Sequence, residues 1–224
     1  MKRRVFIAGG TGYIGSRLIP LLLERGHDVR ALVRPASRHK LPKHCFAVIG
    51  NALDGDSYAD HVEGCDTFLQ MVGVAHPSPA KADQFVLVDQ KAGLEAIRVA
   101  RQTAIRHFIY LSVAHPAPTM QAYVETRVVC EHALEESGLN RTLLRPWYVL
   151  GPGHRWPYAL LPFYWLAERY PPRRDAALRL GLVRLPQMLA ALVNAVETPA
   201  QGQRIVGVPE IKQSQLAAAT TGLA

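Results

Sequence analysis

Cysteine is scarce in this chain, with 3 among 224 residues. Cys45, Cys65 and Cys130 are odd in number and scattered, so they form no disulfide framework and point to a reducing, cytoplasmic setting. His39, His44 and Cys45 lie close together, and His61 shortly precedes Cys65, but neither group has zinc-ligand spacing. No metal is expected. Long apolar runs are missing as well. The longest uncharged apolar stretch, Trp156 to Ala167, holds two prolines and is too short to span a bilayer. The run behind Met1-Lys2-Arg3-Arg4 stops at glycines and does not read as a signal peptide. Nor is there a recognised nucleic-acid module. The net charge of +8 comes from dispersed basic residues, so a general surface excess accounts for it and no nucleic-acid partner is expected.

What the chain does have is a glycine-rich turn at its start. Val5-Phe6-Ile7-Ala8 is a short apolar run that feeds Gly9-Gly10-Thr11-Gly12-Tyr13-Ile14-Gly15 and then a helical pattern. Gly10, Gly12 and Gly15 satisfy G-x-G-x-x-G, and Gly9, Gly12 and Gly15 the related G-x-x-G-x-x-G. A strand, a glycine turn and a helix in this order bring backbone N–H groups and a positive helix end against a pyrophosphate. The expectation is a dinucleotide site; glycines that merely make a turn are the plainer alternative.

The next strand indicates which dinucleotide. A helix over Ile14 to Arg25 is capped by Gly26, and His27 to Val33 reads as the second strand. An acidic residue at its end would hold a ribose 2′-OH and favour NAD(H). Arg34 stands there instead, followed by Ser37, Arg38, His39 and Lys40. These residues suit a 2′-phosphate, hence NADP(H) in preference to NAD(H), or else form a solvated basic loop.

Strands and helices then alternate: strands at Phe46–Ile49, Thr67–Val72, His107–Leu111 and from Thr142, with helices over Ala82–Gln102 and Gln121–Glu136. Pro186 opens a further helix, and Arg204–Val208 reads as a late strand. Pro20 inside the first helix is expected to kink it without breaking it. The fold class is α/β: a Rossmann-like, doubly wound parallel sheet with helices on both faces. One domain is expected over residues 1–224, its core at 1–150 and a small C-terminal substrate-side region at 151–224. That region holds Trp156, Tyr158, Phe163, Tyr164 and Trp165, a lid over an apolar substrate or a segment packed on the sheet or on a second subunit of a homo-oligomer.

GGTGYIGSRL at residues 9–18, ALVR at 31–34, IYLS at 109–112, Tyr123 with a basic residue four positions on, and LRPWYVLGPG at 144–153 together resemble a known pattern. The chain is similar over roughly residues 1 to 210 to atypical or extended short-chain dehydrogenases/reductases of the NmrA-like, NAD(P)H-binding type. The resemblance implies that Gly9, Thr11, Gly12, Tyr13 and Ile14 meet the pyrophosphate and that Arg34 meets the adenosine ribose or its phosphate. Asn51 and Ala52 fall near the adenine, where relatives carry an acidic residue. Met71, Val72 and Gly73 would line the adenosine side, and Pro146, Tyr148 and Val149 would approach the nicotinamide.

It also implies a catalytic group of Ser112, Tyr123 and Arg127. In a family reductase a tyrosine and a lysine four residues later share a helix face, the cation lowering the tyrosine's pKa while a serine hydroxyl orients the carbonyl. Here Arg127 replaces the lysine; it stays charged and cannot readily pass on a proton. Asp89 stands where many relatives have an asparagine. His76 and His115 follow the fourth and fifth strands and are either proton donors or ordinary loop residues. Three functions are compatible with this pattern. The first is an NADP-dependent oxidoreductase on a small apolar carbonyl or enone. The second is a non-catalytic NADP(H)-sensing protein that passes the signal to a partner. The third is a nucleotide-sugar epimerase or dehydratase, disfavoured by the short region after residue 150.

Overall fold

The computed structural model describes residues 2–153, 175 and 178–216. Its central sheet has seven strands: β1 (Arg4–Ala8), β2 (Asp28–Val33), β3 (Phe46–Ile49), β4 (Thr67–Gln70), β5 (His107–Leu111), β6 (Arg141–Leu144) and β9 (Gln203–Val206). They lie in the order β3-β2-β1-β4-β5-β6-β9, and every pairing is parallel. The chain winds outward from β1 in one direction through β2 and β3, then crosses back to β4 and continues the other way. A crevice therefore opens where β1 and β4 end side by side, the place where parallel sheets of this kind bind ligands. Two short strands, β7 (Tyr148–Leu150) and β8 (Leu182–Arg184), pair separately and were not foreseen in the sequence.

Both faces of the sheet are covered, so its central strands are apolar without alternation. Val5 and Ile7 face α1 (Gly15–Glu24) and α6 (Leu185–Glu197); Phe6 and Ala8 face the opposite cluster, which holds Ala96, Ile97 and Ala100 of α4 (Lys91–Gln102). On that second face Phe6, Phe68 and Phe108 line up across three strands, with ring centroids 5.1 and 5.2 Å apart. Helix α1 buries Leu18, Ile19 and Leu22 and runs unbroken through Pro20. Burial of that face offsets the roughly 3 kcal/mol that an interior proline costs. The helix ends where Gly26 takes a left-handed φ of +80°.

Several elements differ from what the sequence pattern predicts. The fourth strand stops at Gln70 and not at Val72. The helix expected over Ala82–Gln102 is α3 (Ala82–Gln84), a π-helical turn at Phe85–Gln90, and then α4. The π turn buries Phe85 and Asp89 together. The late strand is Gln203–Val206, because Gly207 already caps α7 (Val208–Gln213), its N–H donating to Glu210 at 3.0 Å. Further α-helices are α2 (Ala59–Val62) and α5 (Gln121–Glu136). The aromatic segment from Trp156 to Trp165 lies outside the described residues.

Candidate cofactor and active site

The glycine turn joins β1 to α1 at the crevice. Gly9 has φ +91°, and a Cβ on it would stand 2.7 Å from the carbonyl carbon of Met71. The β1 and β4 chains are that close because the Met71 N–H still donates to Ala8 O at 2.9 Å. A Cβ on Gly15 would collide with the Gly9 carbonyl oxygen, so the helix can start directly against the turn. Gly12 N–H donates to Gly9 O at 3.1 Å, and Ser16 N–H to Gly12 O at 3.0 Å. The first turn of α1 carries no acidic side chain, which leaves its positive end available to an anion.

Beside this turn lies a cavity of about 460 Å³. Gly9, Thr11 and Gly12 form one wall, Met71, Val72 and Gly73 another, and Asn51, Ala52 and Leu53 a third. Arg34, Ser37 and Lys40 stand at its end. Among the described residues lining it, Arg34 and Lys40 are cationic and none is acidic. Arg38 and His39 do not line it. Asn51 shapes its own loop: its side-chain oxygen accepts from Leu53 N–H at 3.1 Å.

Nine of the fourteen residues expected at a cofactor line this cavity: Gly9, Thr11, Gly12, Arg34, Asn51, Ala52, Met71, Val72 and Gly73. Five do not. Tyr13 and Ile14 pack toward the α1/α6 core, with the Arg17 guanidinium 4.4 Å over the Tyr13 ring. Tyr148 and Val149 belong to β7, and Pro146 accepts from Ala114 N–H at 2.9 Å.

The expected catalytic residues have different surroundings. Ser112 follows β5, is 4% exposed, and its Oγ has no hydrogen-bond partner among the described residues. Tyr123 is half-buried at the start of α5, its ring edge-on to Phe85 at 5.1 Å. Arg127 is buried. Its Nη2 donates to Asp89 Oδ1 at 2.5 Å and its Nη1 to Leu111 O at 3.1 Å, while its guanidinium lies 5.1 Å from the Tyr123 ring centroid. Burial pushes the Asp89 carboxyl upward, against the Arg127 charge and the Val74 N–H, which favour the ionised form. Arg127 is held charged: burial opposes this, but Tyr123, Tyr110 and Asp89 outweigh it.

Two features escaped the sequence reading. Asp89 is the partner of Arg127, and the signal was present: both positions depart from the family pattern, with opposite charges. Gln70, fully buried at the end of β4, has no partner for either side-chain amide atom among the described residues, and no pattern marks it in the sequence. His115 is held by Glu131 (Nε2 to Oε2, 3.3 Å), whose carboxylate also takes two hydrogen bonds from Arg145.

A family model described as NAD(P)H-binding matches residues 9–155. The 3-beta-hydroxysteroid dehydrogenase of Mycolicibacterium neoaurum is 26% identical over 67% of this chain and 48% of its own length. The ceramide reductase of Caulobacter vibrioides is 25% identical over 88% of this chain and 62% of its own. The chain thus spans about half to three-fifths of these relatives. Among solved structures, the Bordetella bronchiseptica enzyme WbmH in complex with NAD+ superposes with a TM-score of 0.69 at 23% identity, covering 92% of this chain and 76% of that one. That likeness is one of fold. No helix among the described residues is long and apolar enough to cross a membrane.

Proposed function

The chain belongs to the NAD(P)H-binding family, within the short-chain dehydrogenase/reductase superfamily, and from that premise we propose that it binds NADP(H) and reduces a small apolar carbonyl or enone. The observation that carries the cofactor choice is the pairing of Arg34 and Lys40 at one end of a cavity whose described lining holds no carboxylate. The cavity fits such a group, since its Gly9, Thr11 and Gly12 wall stands at the positive end of α1, whose first turn carries no carboxylate. Gly9, Thr11 and Gly12 would border the pyrophosphate, Tyr13 and Ile14 belong to the same turn, and Arg34 and Lys40 would hold the 2′-phosphate. Asn51 and Ala52 border the adenine, Val72 and Gly73 the adjoining ribose, and Pro146, Tyr148 and Val149 the nicotinamide side.

When bound, the reduced cofactor supplies a hydride. Tyr123 delivers the proton to the substrate oxygen, and the Ser112 hydroxyl orients that oxygen. Arg127 does not present a free cation in the way a lysine would. That observation favours a second reading, in which the protein binds NADP(H) without turning over a substrate and reports the nucleotide to a partner.

Calorimetric titration with NADPH and NADH, on the wild type and on Arg34→Ala, tests the cofactor assignment. Tight NADPH binding that weakens in the variant is expected; preference for NADH overturns the role of Arg34. Tyr123→Phe separates the two readings once a reducible carbonyl is found in a substrate screen: a reductase loses turnover and keeps its nucleotide affinity.

A further inference from the structure

We propose that Asp89 and Arg127 act as a single positioning unit, a buried ion pair that sets the Gly73–Val74 wall of the cavity and thereby the affinity for the nucleotide. The proposal rests on the reading of the cavity as an NADP(H) site and adds Asp89 to it.

The geometry ties both charges to one piece of backbone. Asp89 is 1% exposed; its Oδ2 accepts from Val74 N–H at 2.8 Å while its Oδ1 takes the Arg127 Nη2. Arg127 spans the gap to the neighbouring strand through Leu111 O. Gly73 lies directly on the pair: a Cβ there would stand 2.5 Å from Arg127 Nη2 and 3.0 Å from Asp89 Oδ1. Val72, Gly73 and Ala75 line the cavity on one side of this backbone, and the pair holds it from the other. Val88, next to Asp89 in the π turn, lines the cavity too. A π turn shifts the phase of a helix by one residue. In this way Asp89 comes to face α5 while its neighbour faces the cavity.

Electrostatics make the two residues one unit. A buried guanidinium without its carboxylate, or the reverse, is an uncompensated charge beside the site, whereas removing both charges together leaves none. The planar fork of arginine reaches Asp89 and Leu111 O at once. The two departures from the family pattern, Asp89 and Arg127, are therefore a coupled exchange, and restoring lysine alone does not restore a family-like site.

A double-mutant cycle on nucleotide affinity tests this. Kd for NADPH is measured on wild type, Asp89→Asn, Arg127→Gln and Asp89→Asn/Arg127→Gln, well below each protein's melting temperature. Each single variant is expected to weaken binding by about tenfold and the double variant to return to within about threefold of wild type. A pair that only holds the fold together lowers the melting temperature but leaves the Kd of the folded protein unchanged, so Kd within twofold of wild type in both singles overturns the proposal. Losses that simply multiply in the double variant overturn it as well. Gly73→Ala keeps both charges and presses a methyl into the pair; it should also weaken NADPH binding, and it serves if Asp89→Asn fails to fold, in which case unchanged binding counts against the proposal. Wild-type protein that binds neither NADPH nor NADH overturns the cofactor reading itself and this proposal with it, an outcome distinct from normal wild-type binding with unaffected variants.

Discussion

Gly9 and Met71 meet backbone to backbone at the point where β1 and β4 part, with no room for a side chain between them: a Cβ on Gly9 would lie within 2.9 Å of three Met71 and Val72 backbone atoms. The left-handed φ of Gly9 adds a second demand for glycine. Gly9→Ala should therefore lose about 3 kcal/mol of stability, from backbone strain and overlap together. Urea unfolding measures this, and NADPH binding by the folded fraction should also fall. An alanine variant with wild-type stability and affinity would mean that the turn is looser than described.

Arg34 and Lys40 are exposed at the mouth of the cavity, where water and salt screen them. Removing Arg34 should weaken NADPH by about tenfold, with a smaller loss for Lys40→Ala and little change for NADH. NADPH affinity should fall as salt is raised, more steeply than NADH affinity. Equal salt slopes for the two nucleotides would remove the 2′-phosphate from this end of the cavity.

Gln70 sits on β4 between Ala8 and Tyr110, fully buried, with neither amide atom hydrogen-bonded among the described residues. Leaving a polar group unmet in the core costs about 1–3 kcal/mol, and replacing it by an apolar side chain of similar size recovers part of that. Gln70→Leu should gain about 1 kcal/mol, equivalent to a rise in melting temperature of about 2–4 °C at this chain length. A drop in the melting temperature would show that the amide is satisfied in solution.

His107 is 1% exposed, its Nε2 2.9 Å from Thr142 Oγ1. Burial first, then the charges of Arg204 and Arg3, push its pKa down from 6.5 to about 4. The folded state therefore takes up its proton at lower pH than the unfolded state does. Its contribution to stability is complete above about pH 6.5 and is lost as the pH falls toward about 4, on the order of 3 kcal/mol in all. Unfolding free energies at pH 7 and pH 4.5 should differ by less in His107→Gln than in the wild type. Parallel pH dependences would place the acid sensitivity elsewhere, with buried His27 the next group to examine, since burial lowers its pKa as well.

Much of this architecture is local in origin and therefore legible. The Val5–Ala8 run, the glycines behind it and the 3.6-residue spacing of Leu18 and Leu22 specify strand, turn and helix through short-range sterics and burial, and Gly26 stops the helix through its own backbone freedom. Arg34 at the end of β2 follows from position alone, as does the helical spacing of Tyr123 and Arg127. Where the reading slipped, a non-local contact had intervened. The π turn at Phe85–Gln90 interrupts a stretch whose periodicity is plainly helical, and it does so where Asp89 meets Arg127 from another helix.

The sequence by itself determined the glycine turn between β1 and α1 and the alternation of strands and helices that implies a parallel α/β fold, because each of these signals lies within a few neighbouring positions. Tertiary structure alone decided which charges are free. The family resemblance marks Arg127 as a catalytic cation, yet folding brings Asp89 from 38 residues away to claim it. Sequence spacing fixes which face of a helix a side chain occupies, whereas the partner it finds there depends on how helices and sheet pack, which no local pattern encodes.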